Sequence, residues 1–181
     1  VVKISPIANT RTVGLNAKSS VRYFMTDEQK LKFDLQFKAE WKELGFYYDF
    51  EKTTDKPEWR FFGSKEGLTN IIGILDKYVT NPANNSISEH EHYGPHIYLK
   101  IMTWTSPTIT DSYIAGTIED LTILKSIIAE QLSKAAIGDT FYLGNYYGID
   151  NTADAKFIVM KNDFDPSSMD NWVWFDNNEK K

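Results

Sequence analysis

The chain has 181 residues, a formal net charge of −5, 41% apolar and 25% charged residues, and no cysteine. The lack of cysteine excludes disulfides, Cys-ligated metals and thiol chemistry, and no apolar run approaches the roughly 18 residues needed to span a bilayer. An acidic balance argues against nucleic-acid binding through phosphate neutralisation, so a single globular domain over residues 1–181, with no membrane segment and a cytoplasmic setting, is the expectation.

The charge is unevenly placed. Residues 1–24 hold Lys3, Arg11, Lys18 and Arg22 and no acid, a balance of +4 that leaves −9 for the rest. This basic N-terminal extension reads either as an acid-poor leader of the organellar transit type or as an ordinary ordered extension. Met25-Thr26-Asp27-Glu28 would serve as a native start. Thr26 with Gln29 forms a capping box, and Asp27 and Glu28 suit the positive end of a helix. The helix that follows, over about 27–44, sets Phe33, Phe37, Trp41 and Leu44 on one stripe, with Leu31 and Leu35 beside it and Gly45 as terminator. FYYDFEK (46–52) and EWRFFG (58–63) read as two strands joined by the turn-forming TTDKP.

G-S-K-E-G-L-T at 63–69 is echoed by G-T-I-E-D-L-T at 116–122. Each copy follows a short apolar strand (RFF, YIA) and opens an amphipathic helix. Ser64 and Thr117 are the expected N-caps, with Glu66 and Glu119 in the first turn. Leu68, Ile71, Ile72 and Leu75 would form the inner stripe of one helix, and Leu121, Leu124, Ile127 and Ile128 that of the other. Strand pairs follow both helices: ISEHEHY with HIYLKIMTWT, and TFYLGNYY with KFIVMK. Within them Tyr98–Met102 matches Lys156–Met160.

These signals predict an α+β fold. Its largely antiparallel sheet or sheets would carry about three helices on one face. A strand–helix–strand–strand unit would be duplicated internally, with halves at 46–105 and 106–161 and an acidic aromatic segment at 162–181. The junction glycines are expected to serve a tight strand-to-helix turn. No phosphate-loop or dinucleotide fingerprint is present.

All three histidines fall in SISEHEHYGPHIYLKIMTW (86–104), as His90, His92 and His96. H-x-H is the spacing of a strand-built metal site, because side chains two apart share a face. Convergence depends on register. If His92 pairs with Ile97, His90 faces Leu99 on the apolar side and His96 lies opposite. A loop one residue longer or shorter places all three histidines with Tyr98, Lys100 and Met102, where the Lys100 cation is an awkward neighbour for a metal. H-E-x-x-H and G-x-S-x-G are both absent. No catalytic residue, metal or cofactor is therefore assigned, and the chain reads as non-enzymatic. A hairpin packed or exposed without ligand is the plainer alternative.

A second candidate surface is NDFDPSSMDNWVWFDNNE (162–179), with no basic residue. Asp163, Asp165 and Asp170 interleave there with Phe164, Trp172 and Trp174, an arrangement suited to aromatic anchors inside a steering rim. Trp172 and Trp174 share a face if the segment is a strand, and an inward-packed last strand is the competing reading.

F-F-G-S-K-E-G-L-T-x-I-I-x-I-L followed by S-E-H-E-H-Y-G-P-H-I-Y-L-K-I-M-T, residues 61–103, resembles small α+β immunity proteins of bacterial polymorphic toxin systems. The resemblance spans about 58–105 and implies a protein that neutralises a cognate toxin by binding it, without catalytic residues of its own. Candidate contact residues are Asp163, Phe164, Asp165, Asp170, Trp172, Trp174, His90, His92 and His96. The alternative is a small α+β enzyme or ligand-binding protein using Tyr93, His96 and Tyr98.

Overall fold

A computed structural model describes residues 26–52, 56–95 and 98–170. Helix α1 (Asp27–Leu44) opens on the expected capping box of Thr26 and Gln29 and closes on Gly45, which takes φ 83° and donates its N–H to Trp41 O. Strands β1 (Tyr47–Glu51) and β2 (Glu58–Gly63) lead into α2 (Lys65–Thr80), and β3 (His90–Tyr93) and β4 (Leu99–Thr103) follow. The second half runs β5 (Thr108–Ile109), β6 (Ile114–Gly116), α3 (Ile118–Lys134), β7 (Thr140–Tyr142) and β8 (Asp154–Val159). Ser64 Oγ caps α2 by accepting from Gly67 N, and Thr117 Oγ1 caps α3 by accepting from Asp120 N. Among the described residues no helix is long and apolar enough to cross a membrane.

The strands form two four-stranded sheets, β1-β2-β8-β7 and β3-β4-β6-β5. Each has antiparallel outer pairs flanking one parallel pair, β2 with β8 and β4 with β6. The fold is thus α+β with largely antiparallel sheets. Its repeating pattern is strand–strand–helix–strand–strand, and the halves exchange hairpins: each sheet takes two strands from either half.

The correspondence extends to single hydrogen bonds. Met160 N donates to Gly63 O and Trp104 N donates to Gly116 O, both at 2.8 Å. Ser88 N donates to Thr103 O as Gly138 N donates to Val159 O. Ser88 and Gly138 both hold positive φ, 73° and 92°. Because Gly63 pairs with Val159 and Gly116 with Thr103, the counterpart of Lys156 is Lys100. The sequence match of Tyr98 to Lys156 is therefore two residues out of register, an error that preserves strand parity and so goes unseen in an apolar pattern.

Two other expectations change, and the junction glycines gain a specific cause. TFYLGNYY is a strand only to Tyr142 and then turns through a 3₁₀ segment, Leu143–Asn145. Neither junction glycine needs a left-handed backbone. A Cβ on Gly116 would lie 2.3 Å from the Tyr147 hydroxyl, and one on Gly63 would press on Phe46 and Leu68. Close approach is what excludes a side chain there. The α1 stripe buries only its end: Trp41 is fully buried against Tyr47 and Tyr48, whereas Leu31 and Leu35 are exposed.

One core joins both sheets to α2 and α3. Phe61 and Phe157 stack at 4.7 Å, Phe157 and Phe141 at 4.8 Å, and Leu75, Leu124, Ile128, Ile101 and Ile114 pack with them. Each fully buried large apolar side chain contributes about 1.5–3 kcal/mol relative to exposure. Polar bonds tie sheet to sheet: Trp59 Nε1 donates to Thr110 O at 2.8 Å, and the buried Tyr48 hydroxyl donates to Tyr93 O while accepting from Leu99 N.

Candidate functional site

The hairpin of β3 and β4 is set from below. Tyr78, on α2, donates its hydroxyl to Glu89 O at 2.7 Å, and Thr103 N donates to the same oxygen at 2.9 Å. From this anchor the register runs His90 with Met102, Glu91 with Ile101, His92 with Lys100 and Tyr93 with Leu99. That is not the pairing of His92 with Ile97. The alternative parity holds, so His90 and His92 share the outward face with Lys100 rather than the apolar face with Leu99.

Glu91 and Tyr93 turn inward, as alternation requires. The Glu91 carboxylate accepts from Asn84 Nδ2 at 2.9 Å and from the Tyr93 hydroxyl at 2.8 Å. Burial raises its carboxyl, but these bonds and one from Asn81 outweigh burial and hold it below the usual carboxylate range. Tyr93 is pushed well up by burial and by Glu91.

Outward, the rings of His90 and His92 meet edge to face at 5.0 Å, and His92 lies 5.6 Å from the Tyr98 ring, which is 56% exposed. Burial, then His90 and Lys100, lower the His92 imidazole below its ordinary value. The Lys100 ammonium sits 5.8 Å from the centre of the Tyr113 ring. Histidines and aromatic rings thus form a strip on a backed, ordered strand. Tyr93 and Tyr98 lie on opposite faces and do not converge; His96 lies outside the described residues.

The acidic segment divides by role. Asp163 is exposed, while Phe164 packs against the core. Asp165 starts a 3₁₀ turn (Pro166–Met169) by accepting from Ser167 N and Oγ, and pairs with Lys42 at 3.2 Å. The Ser167 hydroxyl, with Lys42 assisting, holds the Asp165 carboxyl low. Asp170 accepts from Trp41 Nε1 at 2.8 Å. Two of the three aspartates therefore have internal duties that composition does not reveal, while Trp172 and Trp174 lie outside the described residues.

The sequence gives no sign of a cleft of about 390 Å³ between the end of α1, the start of α2 and the 3₁₀ turn, lined by Lys42, Glu66, Asn70, Phe164 and Asp165 among others. Several of its polar groups are engaged locally: Ser64 caps α2, Asn70 Nδ2 donates to Leu44 O at 2.9 Å, and Lys42 pairs with Asp165. No histidine lines it. Among the described residues no group of three or more His, Asp or Glu side chains is arranged to hold a metal ion. No family model matches this chain, and comparison with curated proteins and with solved structures returns no match.

Proposed function

We propose that this chain is a non-enzymatic, cytoplasmic immunity-type protein that binds and neutralises a cognate bacterial toxin. The observation that carries the reading is the outward strip of His90, His92 and Tyr98 on the β3–β4 hairpin. It presents amphipathic rings on a backbone that is hydrogen-bonded beneath, so little conformational freedom is lost on docking. It also lies in the stretch that resembles immunity proteins. Asp163 extends the contact candidates on the acidic segment, where its charge would steer a basic partner. The enzyme alternative is weakened by the divergence of Tyr93 from Tyr98 and by a cleft in which Ser64, Asn70, Lys42 and Asp165 are already engaged.

The test is co-expression with the product of the gene adjacent to this one, scoring co-purification and rescue of growth. The triple change His90→Ala, His92→Ala, Tyr98→Ala is expected to abolish rescue while the fold, followed by circular dichroism, persists. Asp163→Ala should slow association with little loss of rescue. Full rescue by the folded triple variant would overturn the proposed surface.

A further inference from the structure

His90 and His92 stand on the outward face of β3 with ring centroids 5.0 Å apart and ring planes inclined at 68°. A divalent ion held by one nitrogen of each ring at about 2.0–2.1 Å lies about 3.2 Å from each centroid, so chelation sets the centroids about 5.2 Å apart at a tetrahedral angle and about 4.5 Å apart at the right angle of a tetragonal site. The observed 5.0 Å lies between these two values, so a turn of the exposed rings about their side-chain torsions, with the backbone in place, brings a nitrogen of each to one ion.

The tautomer is also favourable. His90 Nδ1 lies 2.9 Å from Ser88 O. A carbonyl oxygen only accepts, so Nδ1 carries the hydrogen and Nε2 keeps its lone pair for a metal. An outer contact of this kind orients the imidazole and raises its basicity as a ligand. Ser88 holds the carbonyl in place through a left-handed φ of 73° and its own N–H bond to Thr103 O. The second half repeats this turn at Gly138 but carries Thr140 and Tyr142 where His90 and His92 stand.

We propose that His90 and His92 form an open two-imidazole chelate for a divalent transition metal of the Zn²⁺, Ni²⁺ or Cu²⁺ type, with water in the remaining positions. The site does not depend on toxin binding. Lys100, cross-strand from His92, opposes the ion; its charge rests over the Tyr113 ring, where the cation is favoured. This opposition supplies a signature that a metal bound elsewhere would lack.

The experiment titrates the full chain with Cu²⁺ and with Ni²⁺ by calorimetry, and reads the Cu²⁺ complex by electron paramagnetic resonance. One saturable equivalent with two imidazole nitrogens is expected. His90→Asn and His92→Asn should each weaken binding about tenfold or more, and Lys100→Gln should tighten it several-fold. His96→Asn should change it by less than about threefold. Thermal melts check that each variant is folded, which outward-facing positions favour. The proposal is overturned by the absence of saturable binding, by binding that survives in the His90→Asn/His92→Asn double variant, or by a greater loss from His96→Asn than from either ligand change. Failed rescue with intact metal binding would count against the toxin reading alone.

Discussion

On the outward face of the β1-β2-β8-β7 sheet, Arg60 donates to both oxygens of Asp49 at 2.7 and 2.6 Å and lies 3.3 Å from Glu51, while Lys156 lies 3.8 Å from Glu58. On the β3-β4-β6-β5 sheet the equivalent positions are Tyr113 and Lys100, with His92 beside them in place of Tyr142. Among the described residues no carboxylate pairs with Lys100. One face closes its charges upon itself; the other turns imidazoles and a cation outward. The two sheets share a backbone plan, so the difference rests on side chains at matched positions. A repeat that stabilises both halves alike leaves such positions open to separate use.

The buried sides of the two sheets should differ most. Phe157→Ala removes the middle ring of the Phe61–Phe157–Phe141 stack and is expected to cost about 3–5 kcal/mol in denaturant unfolding, against about 2–4 kcal/mol for its counterpart Ile101→Ala. An equal or larger cost at Ile101 would show that the aromatic ladder does not set the first sheet apart. Tyr48→Phe should cost about 1–3 kcal/mol, because it leaves Tyr93 O and Leu99 N short of a buried partner.

On the outward faces the charges can be compared directly. Arg60→Gln should lose about 1 kcal/mol, measured at low salt and shrinking as salt is added, since the pairs are partly exposed. Lys100→Gln should be neutral or slightly stabilising by the same measurement. A matched loss at Lys100 would break the contrast. The repeated turn offers a finer comparison. Ser88→Gly relieves a left-handed non-glycine residue and should stabilise by less than about 1 kcal/mol, whereas Gly138→Ser should destabilise by about that amount.

The smallest effect is a pH dependence arising from β3 of the second sheet. The His92 imidazole is lowered in the folded chain by burial, His90 and Lys100. As pH falls below about 6.5 the unfolded chain takes up this proton first, so stability declines until pH passes below the folded value. His92→Asn should flatten that part of a stability–pH curve. Glu91 acts in a lower window: its carboxyl is depressed, so its contribution is present above the ordinary carboxylate value and is lost as pH falls through the folded one.

What could be read in advance was local. Thr26, Ser64 and Thr117 cap their helices as their residue types and spacing indicate, and Gly45 ends α1, because a cap is satisfied within one turn of chain. The echo of G-S-K-E-G-L-T in G-T-I-E-D-L-T located two matching strand-to-helix junctions for the same reason. The α+β class with largely antiparallel sheets follows from such signals. Of the candidate site, strand parity placed His90 and His92 on one face and Glu91 on the other, but the partner of that face stayed open.

The tertiary structure decided what depends on contacts far apart in sequence. β2 pairs with β8 and β4 with β6, so the halves interleave rather than stand side by side, and no local propensity encodes that choice. At the far end of the hairpin, Tyr78 and Thr103 hold Glu89 O in the observed register. Asp165 and Asp170 were drawn into duties for Ser167, Lys42 and Trp41. The physical reason is common to all three. A capping bond is closed by neighbours in the chain, whereas strand partners and long-range hydrogen bonds are selected only when the whole core is buried together.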